Sequence, residues 1–239
     1  MYKFNAARLI ALLLLFLAPA LASAQDETGN PANWCRNGAF VSDAKEFRPA
    51  RVVGAKKARV YFYGDDDDCP KPDAKCRQKT YVVGGDALLV SRNFGDWACA
   101  WYTTAKGGDT VGWIPSKQLS ITEVDTNPPL ARWLGAWELY RDSLDIKRGA
   151  KAGRLRVEGH ATWQGVNPGN VHVGEINAEA APAGNTLALD EGDGVCKMTL
   201  RLIGDFLVAD DNGDCGGVNV SFDGVYRRRP ARPATRKRD

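Results

Sequence analysis

Six cysteines are the side chains of this 239-residue chain with the widest range of chemistry: Cys35, Cys69, Cys76, Cys99, Cys196 and Cys215. A thiolate can attack a carbonyl carbon, ligate zinc or pair with a second cysteine as a disulfide. Zinc sites use cysteine and histidine ligands at short spacing. Six residues separate Cys69 from Cys76, and the two histidines, His160 and His172, lie far along the chain. The sequence therefore predicts no metal site and leaves a nucleophile or disulfides as the alternatives.

The start of the chain indicates which alternative applies. Lys3 and Arg8 are followed by an almost unbroken apolar run at 9–17 and by the small-residue sequence Ala22-Ser23-Ala24. This is the pattern of a secretory signal peptide, so we expect residues 1–24 to be removed and the mature protein to be periplasmic or secreted. Disulfides are the usual state of an even number of cysteines in such an oxidising compartment.

The pairing of six cysteines is not determined by sequence, because many connectivities are possible. Cys69 with Cys76, as a loop clasp, and Cys196 with Cys215, across neighbouring strands, are the local choices, and they leave Cys35 with Cys99. Gly194-Val-Cys196-Lys loosely resembles a wall transpeptidase motif, but the Ser/Thr-His-Gly that would orient a thiolate is missing. A structural disulfide is therefore favoured at Cys196.

The other polar clusters do not have the spacing of a catalytic or metal site. His160 and His172 are expected on two strands joined by a turn at 166–170, where solvent-exposed side chains are the favoured interpretation. The acidic stretches 65–68 and 210–214 invite a calcium hypothesis, but the second lacks the glycine and the bidentate acid of a calcium loop. We therefore expect no enzyme activity and no cofactor.

The elements that position these residues fall into two predicted units. Asn127-Pro-Pro129 is typical of a linker (127–129) between residues 25–126 and 130–226. In the first unit, short runs of apolar and β-branched residues alternate with glycine-rich turns, which predicts a small β-barrel. The predicted strands are 58–63, 80–83, 87–91, 97–103, 110–114 and 119–124.

The first unit resembles a bacterial SH3-like domain. The resemblance is carried by Tyr81-Val-Val-Gly-Gly-Asp86, by a strand that runs from Trp97 to Tyr102, and above all by Gly112-Trp113-Ile114-Pro115 followed by Leu119. It covers about 65 residues and implies a penultimate strand at the Gly-Trp step, a single 3₁₀ turn and a last strand that Leu119 opens. Tyr81, Trp97, Trp101 and Trp113 are the expected binding residues, although alternation along the strands should bury part of the aromatic set.

The second unit has eight predicted strands with period-two patterning, which favours a closed antiparallel barrel or a sandwich. Leu155, Val157, Gly159, Ala161 and Trp163 are expected on one face of one strand. The ending from Asp211 to Tyr226, with Cys215-Gly-Gly and Gly-Val-Tyr, resembles small disulfide-containing periplasmic β domains, some of them found with lysozyme-inhibitor-type proteins. The predicted fold class is thus all-β, an SH3-like barrel followed by a β-barrel or sandwich.

Charge is concentrated at the end of the chain. Residues 227–239 contain seven basic residues and one acidic residue, whereas residues 127–226 contain nine basic and fourteen acidic residues. The proline-rich segment 227–239 is therefore predicted to be a disordered basic tail, able to associate with anionic surfaces. Nucleic acid is not an expected partner of an exported protein.

The sequence predicts a binding protein of the bacterial envelope. The resemblance implies a cell-wall glycan or peptide, or a periplasmic protein, as the partner. Two alternatives stay open: a periplasmic inhibitor or immunity protein of a peptidoglycan hydrolase, and a cell-wall enzyme with an unrecognised site.

Overall fold

The computed structural model describes residues 30–42, 44, 46–104, 108–192 and 194–229. The predicted signal peptide and residues 230–239 of the predicted tail lie outside these ranges. The described chain consists of antiparallel β-strands with short 3₁₀ turns, so the predicted all-β class is confirmed. Over the described ranges, no helix has the length and hydropathy needed to cross a membrane.

The first sheet has seven strands in the order β3-β2-β6-β5-β4-β1-β7. Its strands are β1 (Arg48–Val52), β2 (Arg59–Tyr63), β3 (Arg77–Val83), β4 (Ala87–Phe94), β5 (Trp97–Thr103), β6 (Asp109–Pro115) and β7 (Leu119–Ile121). The sequence predicted six of them and missed β1, whose proline and two arginines have low strand propensity. β1 pairs with β4 on one side and β7 on the other, which brings the end of this unit back to its start.

The glycine before Trp113 is required for steric reasons. Gly112 lies in β6, where a Cβ atom would lie 2.9 Å from the carbonyl oxygen of Tyr63. The next residue, Trp113, is fully buried and donates its indole N–H to the carbonyl oxygen of Ala32 at 2.7 Å. The predicted 3₁₀ turn follows at Ser116–Gln118, and Leu119 begins β7 as expected.

The second sheet has eight strands in the order β11-β10-β9-β8-β15-β14-β13-β12, and it is nearly barrel-shaped because β15 pairs back onto β8. Its strands are β8 (Gly135–Leu139), β9 (Asp142–Arg148), β10 (Leu155–Gln164), β11 (Val171–Ala180), β12 (Thr186–Asp190), β13 (Lys197–Ile203), β14 (Phe206–Asp211) and β15 (Gly224–Arg228). The strand β15 includes Arg227 and Arg228, which the sequence had assigned to the disordered tail. This boundary is corrected: the ordered strand reaches Arg228, and the backbone N–H of Arg229 still donates to Ala136.

The interior of the second sheet is filled by side chains. Leu155, Val157 and Ala161 of β10 are buried on the predicted face. Gly159 lies on the same face, where a Cβ would lie 2.7 Å from both Ile176 and Leu144. The absence of a side chain there allows two large aliphatic neighbours to pack across the barrel.

The described residues form two apolar cores, a small one inside the first sheet and a larger one that joins the two sheets. The larger core contains Leu89, Trp101 and Trp113 of the first sheet together with residues of the second sheet such as Trp137 and Tyr226. The segment before β1 belongs to the same core, because Phe40 packs against Trp101 with ring centroids 5.4 Å apart. The linker at 127–129 therefore separates the strands of the first sheet from those of the second, while side chains from both sheets share the larger core.

All six cysteines form disulfides. The pairs are Cys35–Cys99, Cys69–Cys76 and Cys196–Cys215, which confirms the pairing that the local choices favoured. Cys35–Cys99 attaches the N-terminal segment to the middle of β5. Cys196 and Cys215 lie in loops at the ends of strands and not, as expected, across neighbouring strands.

We predict that Gly112→Ala lowers the free energy of unfolding by about 1–3 kcal/mol, the usual cost of forcing an added methyl into a packed region. Gly64→Ala is the control, because the nearest atom to its added Cβ lies 3.8 Å away. Urea denaturation of both variants measures the difference. Equal stability of the two variants would contradict the close packing of β6 against β2.

Candidate binding surface

The four predicted binding residues separate into two pairs. Trp101 and Trp113 are 4% and 0% exposed, because the N-terminal segment and the second sheet cover their side of the first sheet. They are core residues and cannot contact a ligand, so the prediction is wrong for this pair. Tyr81 is 40% exposed and Trp97 is half-buried. A binding role for Tyr81 and Trp97 stays a prediction.

Trp97 lines a cleft of about 390 Å³ at one end of the first sheet. Pro115 and the 3₁₀ turn that follows it form one side, with Ser116 and Lys117 in the lining, and Pro72 approaches from the loop between β2 and β3. The cleft combines flat apolar surfaces with a few polar groups, which is the usual composition of a binding site. Its walls are rigid elements: β5 begins at Trp97, and the N–H of Ser116 donates to the carbonyl oxygen of Asp96.

An aromatic belt continues from this cleft across the outer face of β2 and β3. The ring of Tyr63 meets that of Trp97 edge to face, with centroids 4.7 Å apart. Tyr61 and Tyr81 are paired directly across the two strands, with centroids 5.8 Å apart. The alternate residues of β2, Val60 and Phe62, point into the barrel core. Period-two alternation thus places apolar residues inside and tyrosines outside.

Two arginines extend the belt. The guanidinium of Arg59 lies over the ring of Tyr81 at 4.4 Å from its centroid, and that of Arg77 lies over the ring of Tyr61 at 4.9 Å. Arg59, Tyr81, Tyr61 and Arg77 therefore form an unbroken ladder on one exposed face, which we call the Arg–Tyr ladder. The two arginines could not be identified from the sequence, because the register of β2 against β3 places them beside the tyrosines.

The acidic loop beside β2 is occupied by internal contacts. Asp65 is buried and accepts hydrogen bonds from the backbone N–H of Cys35 at 3.2 Å and from Arg36 at 2.7 Å. Asp66 pairs with the same arginine, and Asp68 pairs with Lys71. The aspartates therefore anchor the N-terminal segment and the clasped loop.

The two histidines do not form a cluster. His160 is paired with Glu175 and lies on the outer face of the second sheet, whereas His172 is paired with Trp163 and points inward. His172 packs on the Trp163 ring at 5.1 Å and hydrogen-bonds the carbonyl oxygen of Val218. The expectation of a solvent-exposed side chain is thus confirmed for His160 and wrong for His172, because β10 and β11 direct the two histidines to opposite faces.

The second acidic stretch organises a loop. The Asp211 carboxylate accepts hydrogen bonds from the backbone N–H of Gly213 and from the hydroxyl of Ser221, and the backbone N–H of Asp211 donates to Asp223. In the described part of the chain, no group of three His, Cys, Asp or Glu side chains is placed to hold a metal ion. The aspartates hold residues 211–223 against the end of the barrel.

The carboxylate of Asp223 has an altered acidity. Although the residue keeps access to solvent, desolvation by the surrounding loop raises its pKa to about 6, and the negative charges of Asp211 and Asp210 act in the same direction. Burial also raises the pKa of Asp142. Asp142 and Asp223 both line a narrow cleft beside the N-terminal segment. Both groups lie where the two sheets meet.

Comparison with known proteins gave no match to a protein-family model, to a curated protein or to a solved structure.

We predict that Asp223→Asn raises stability above about pH 6 and changes it little below about pH 4. The folded-state pKa of about 6 exceeds the ordinary value of about 3.9, so between these values the folded protein binds more protons than the unfolded chain. The free energy of unfolding of the wild type should fall as the pH rises through this window, because Asp223 ionises. The asparagine variant cannot ionise there, so the contribution of residue 223 to this fall should be absent. Thermal melts from pH 3.5 to 7.5 measure the effect.

The control is Asp205→Asn, which removes the same charge from a carboxylate that is 84% exposed. A gain in stability from Asp223→Asn that is equal at every pH would contradict the raised pKa.

Proposed function

We propose that the chain is an exported protein of the bacterial envelope that binds a cell-wall component or a periplasmic protein through an SH3-like module, without catalysis. The end of the first unit supports the SH3-like assignment. Gly112-Trp113 lies in the penultimate strand, a 3₁₀ turn follows at Ser116–Gln118 and Leu119 begins the last strand, which are the features that the resemblance implies.

The observation that carries the proposal is the partly exposed aromatic belt that ends in the Trp97 cleft. The outward side of β4 to β6 is buried in the shared core, so ligands reach this unit on the β2–β3 side. There Tyr81 contacts Tyr61, and Tyr63, two residues further along β2, contacts Trp97. Aromatic side chains at an exposed, rigid site are the residues that most often dominate binding energy.

The disulfides support an extracytoplasmic location. Three disulfides join all six cysteines of the chain, and such a set is typical of proteins in an oxidising environment. Combined with the signal-peptide pattern at residues 1–24, this favours the periplasm or the cell exterior.

Binding of purified peptidoglycan sacculi tests the proposal. We expect the wild-type protein to co-sediment with sacculi and Trp97→Ala to bind about tenfold more weakly, as expected for loss of a central aromatic contact. Tyr140→Ala is the matched control, since Tyr140 is an aromatic residue that is 64% exposed and lies outside the belt. Thermal melts verify that both variants are folded.

Two results separate the ligand classes. Capture of envelope proteins from a periplasmic extract that depends on Trp97, without sedimentation with sacculi, would identify a protein as the partner. Equal binding by wild type and Trp97→Ala in both assays would overturn the proposal.

A further inference from the structure

We propose that the Arg–Tyr ladder is a subsite for the carboxylate groups of an acidic wall polymer. The inference rests on the proposed function for its biological setting and deepens it by naming the chemical class of the ligand. It is carried by the geometry of Arg59 and Arg77 and by the charges around them.

The tyrosine rings orient both guanidinium groups. Each guanidinium lies over a ring, at 4.4 Å for Arg59 over Tyr81 and 4.9 Å for Arg77 over Tyr61. A guanidinium that is held in this way loses less side-chain freedom when it binds a ligand, because its position is already restricted. Arg59 also makes a hydrogen bond with the side chain of Tyr61, and the other N–H groups of its guanidinium are the donors that can form the fork arrangement that matches a carboxylate.

These two charges are not neutralised within the protein. Among the described residues, the ion pairs of the first unit join Arg36, Lys71 and Lys75 to the acidic loop at 65–68, and none involves Arg59 or Arg77. Lys79 lies between Arg77 and Tyr81 on the same face of β3 and is also exposed. The outer face of the hairpin therefore presents three cations and attracts anionic groups.

The spacing of the ladder favours a polymer with repeated charges. The two guanidiniums occupy the ends of a row of four side chains. The Tyr61 and Tyr81 rings lie between them, with their centroids 5.8 Å apart. A ligand with a single carboxylate contacts only one end, whereas a polymer with an acid on successive units contacts both ends together and gains from multivalency.

The same geometry argues against nucleic acid. Single-stranded nucleic acids bind by stacking bases on open aromatic faces. One face of each ladder tyrosine is covered by a guanidinium, and the two rings meet edge to face at 62°. The ladder can therefore bind anionic groups at the edges of its guanidiniums, whereas apolar parts of a ligand would contact the Trp97 cleft.

The test uses full-length mature protein and four probes: untreated sacculi, sacculi whose carboxylates have been amidated, polygalacturonate and inorganic polyphosphate. We expect binding to untreated sacculi and to polygalacturonate, and about tenfold weaker binding of the double variant Arg59→Gln/Arg77→Gln to both. Amidation of the sacculi should weaken the binding of the wild-type protein. The remaining affinity should equal that of the double variant for untreated sacculi. The polygalacturonate affinity should fall as salt is raised, because exposed charges are screened.

Two further variants make the result specific. Arg141→Gln/Arg148→Gln removes the same charge from exposed positions on the second sheet and should leave binding unchanged. Arg59→Lys/Arg77→Lys keeps the charge but loses the planar fork, and it should bind more weakly than wild type. Equal loss in the control and ladder variants would reduce the effect to net charge and overturn the proposal.

The outcomes distinguish this inference from the proposed function. Equal, Trp97-dependent binding to untreated and amidated sacculi would overturn the carboxylate subsite and leave the proposed function in place. Ladder-dependent binding to polygalacturonate without binding to sacculi or envelope proteins would support the subsite and overturn the function. Ladder-dependent binding to polyphosphate but not to polygalacturonate would overturn the carboxylate assignment.

Discussion

The structure depends on the burial of both faces of β5 and its neighbours. Along β5, Ala98 and Ala100 point into the small core of the first barrel, whereas Cys99 and Trp101 point into the core that is shared with the second sheet. Both faces of a strand are usually buried only in the middle of a layered protein. Here the layers are the first barrel, the N-terminal segment and the second sheet, and Cys35–Cys99 fixes the middle layer to β5.

This constraint determines where the first unit can bind a ligand. With β4 to β6 covered, the first sheet is open to solvent at the β2–β3 hairpin, at the turn after β6 and along parts of β1 and β7, and only the hairpin carries a row of exposed tyrosines and arginines. The hairpin strands carry alternating apolar and aromatic residues, so the side chains that point away from the core are tyrosines and arginines. The Trp97 cleft and the Arg–Tyr ladder are therefore consequences of the same packing that buries Trp101 and Trp113.

Much of the fold was predictable from short-range patterns, and the site was not. Apolar alternation and glycine turns predicted fourteen of the fifteen strands, and local spacing favoured the disulfide pairing that the structure has. The burial of Trp101 and Trp113 was not predictable, because it is caused by a contact between segments far apart in sequence. The ladder required the pairing of Tyr61 with Tyr81 across a hairpin with a long clasped loop, and no local rule gives that register.

The central claim is that the outer face of the first sheet is buried over β4 to β6, where Trp101 and Trp113 lie, and binds the ligand over β2 and β3 and at Trp97. Hydroxyl-radical footprinting of aromatic side chains, with and without sacculi, tests it most directly. The account predicts that Trp101 and Trp113 are protected in both samples, and that Tyr81 and Trp97 are labelled in the free protein and protected when sacculi are added. Strong labelling of Trp101 or Trp113 in the free protein, or ligand protection confined to the second sheet, would contradict it.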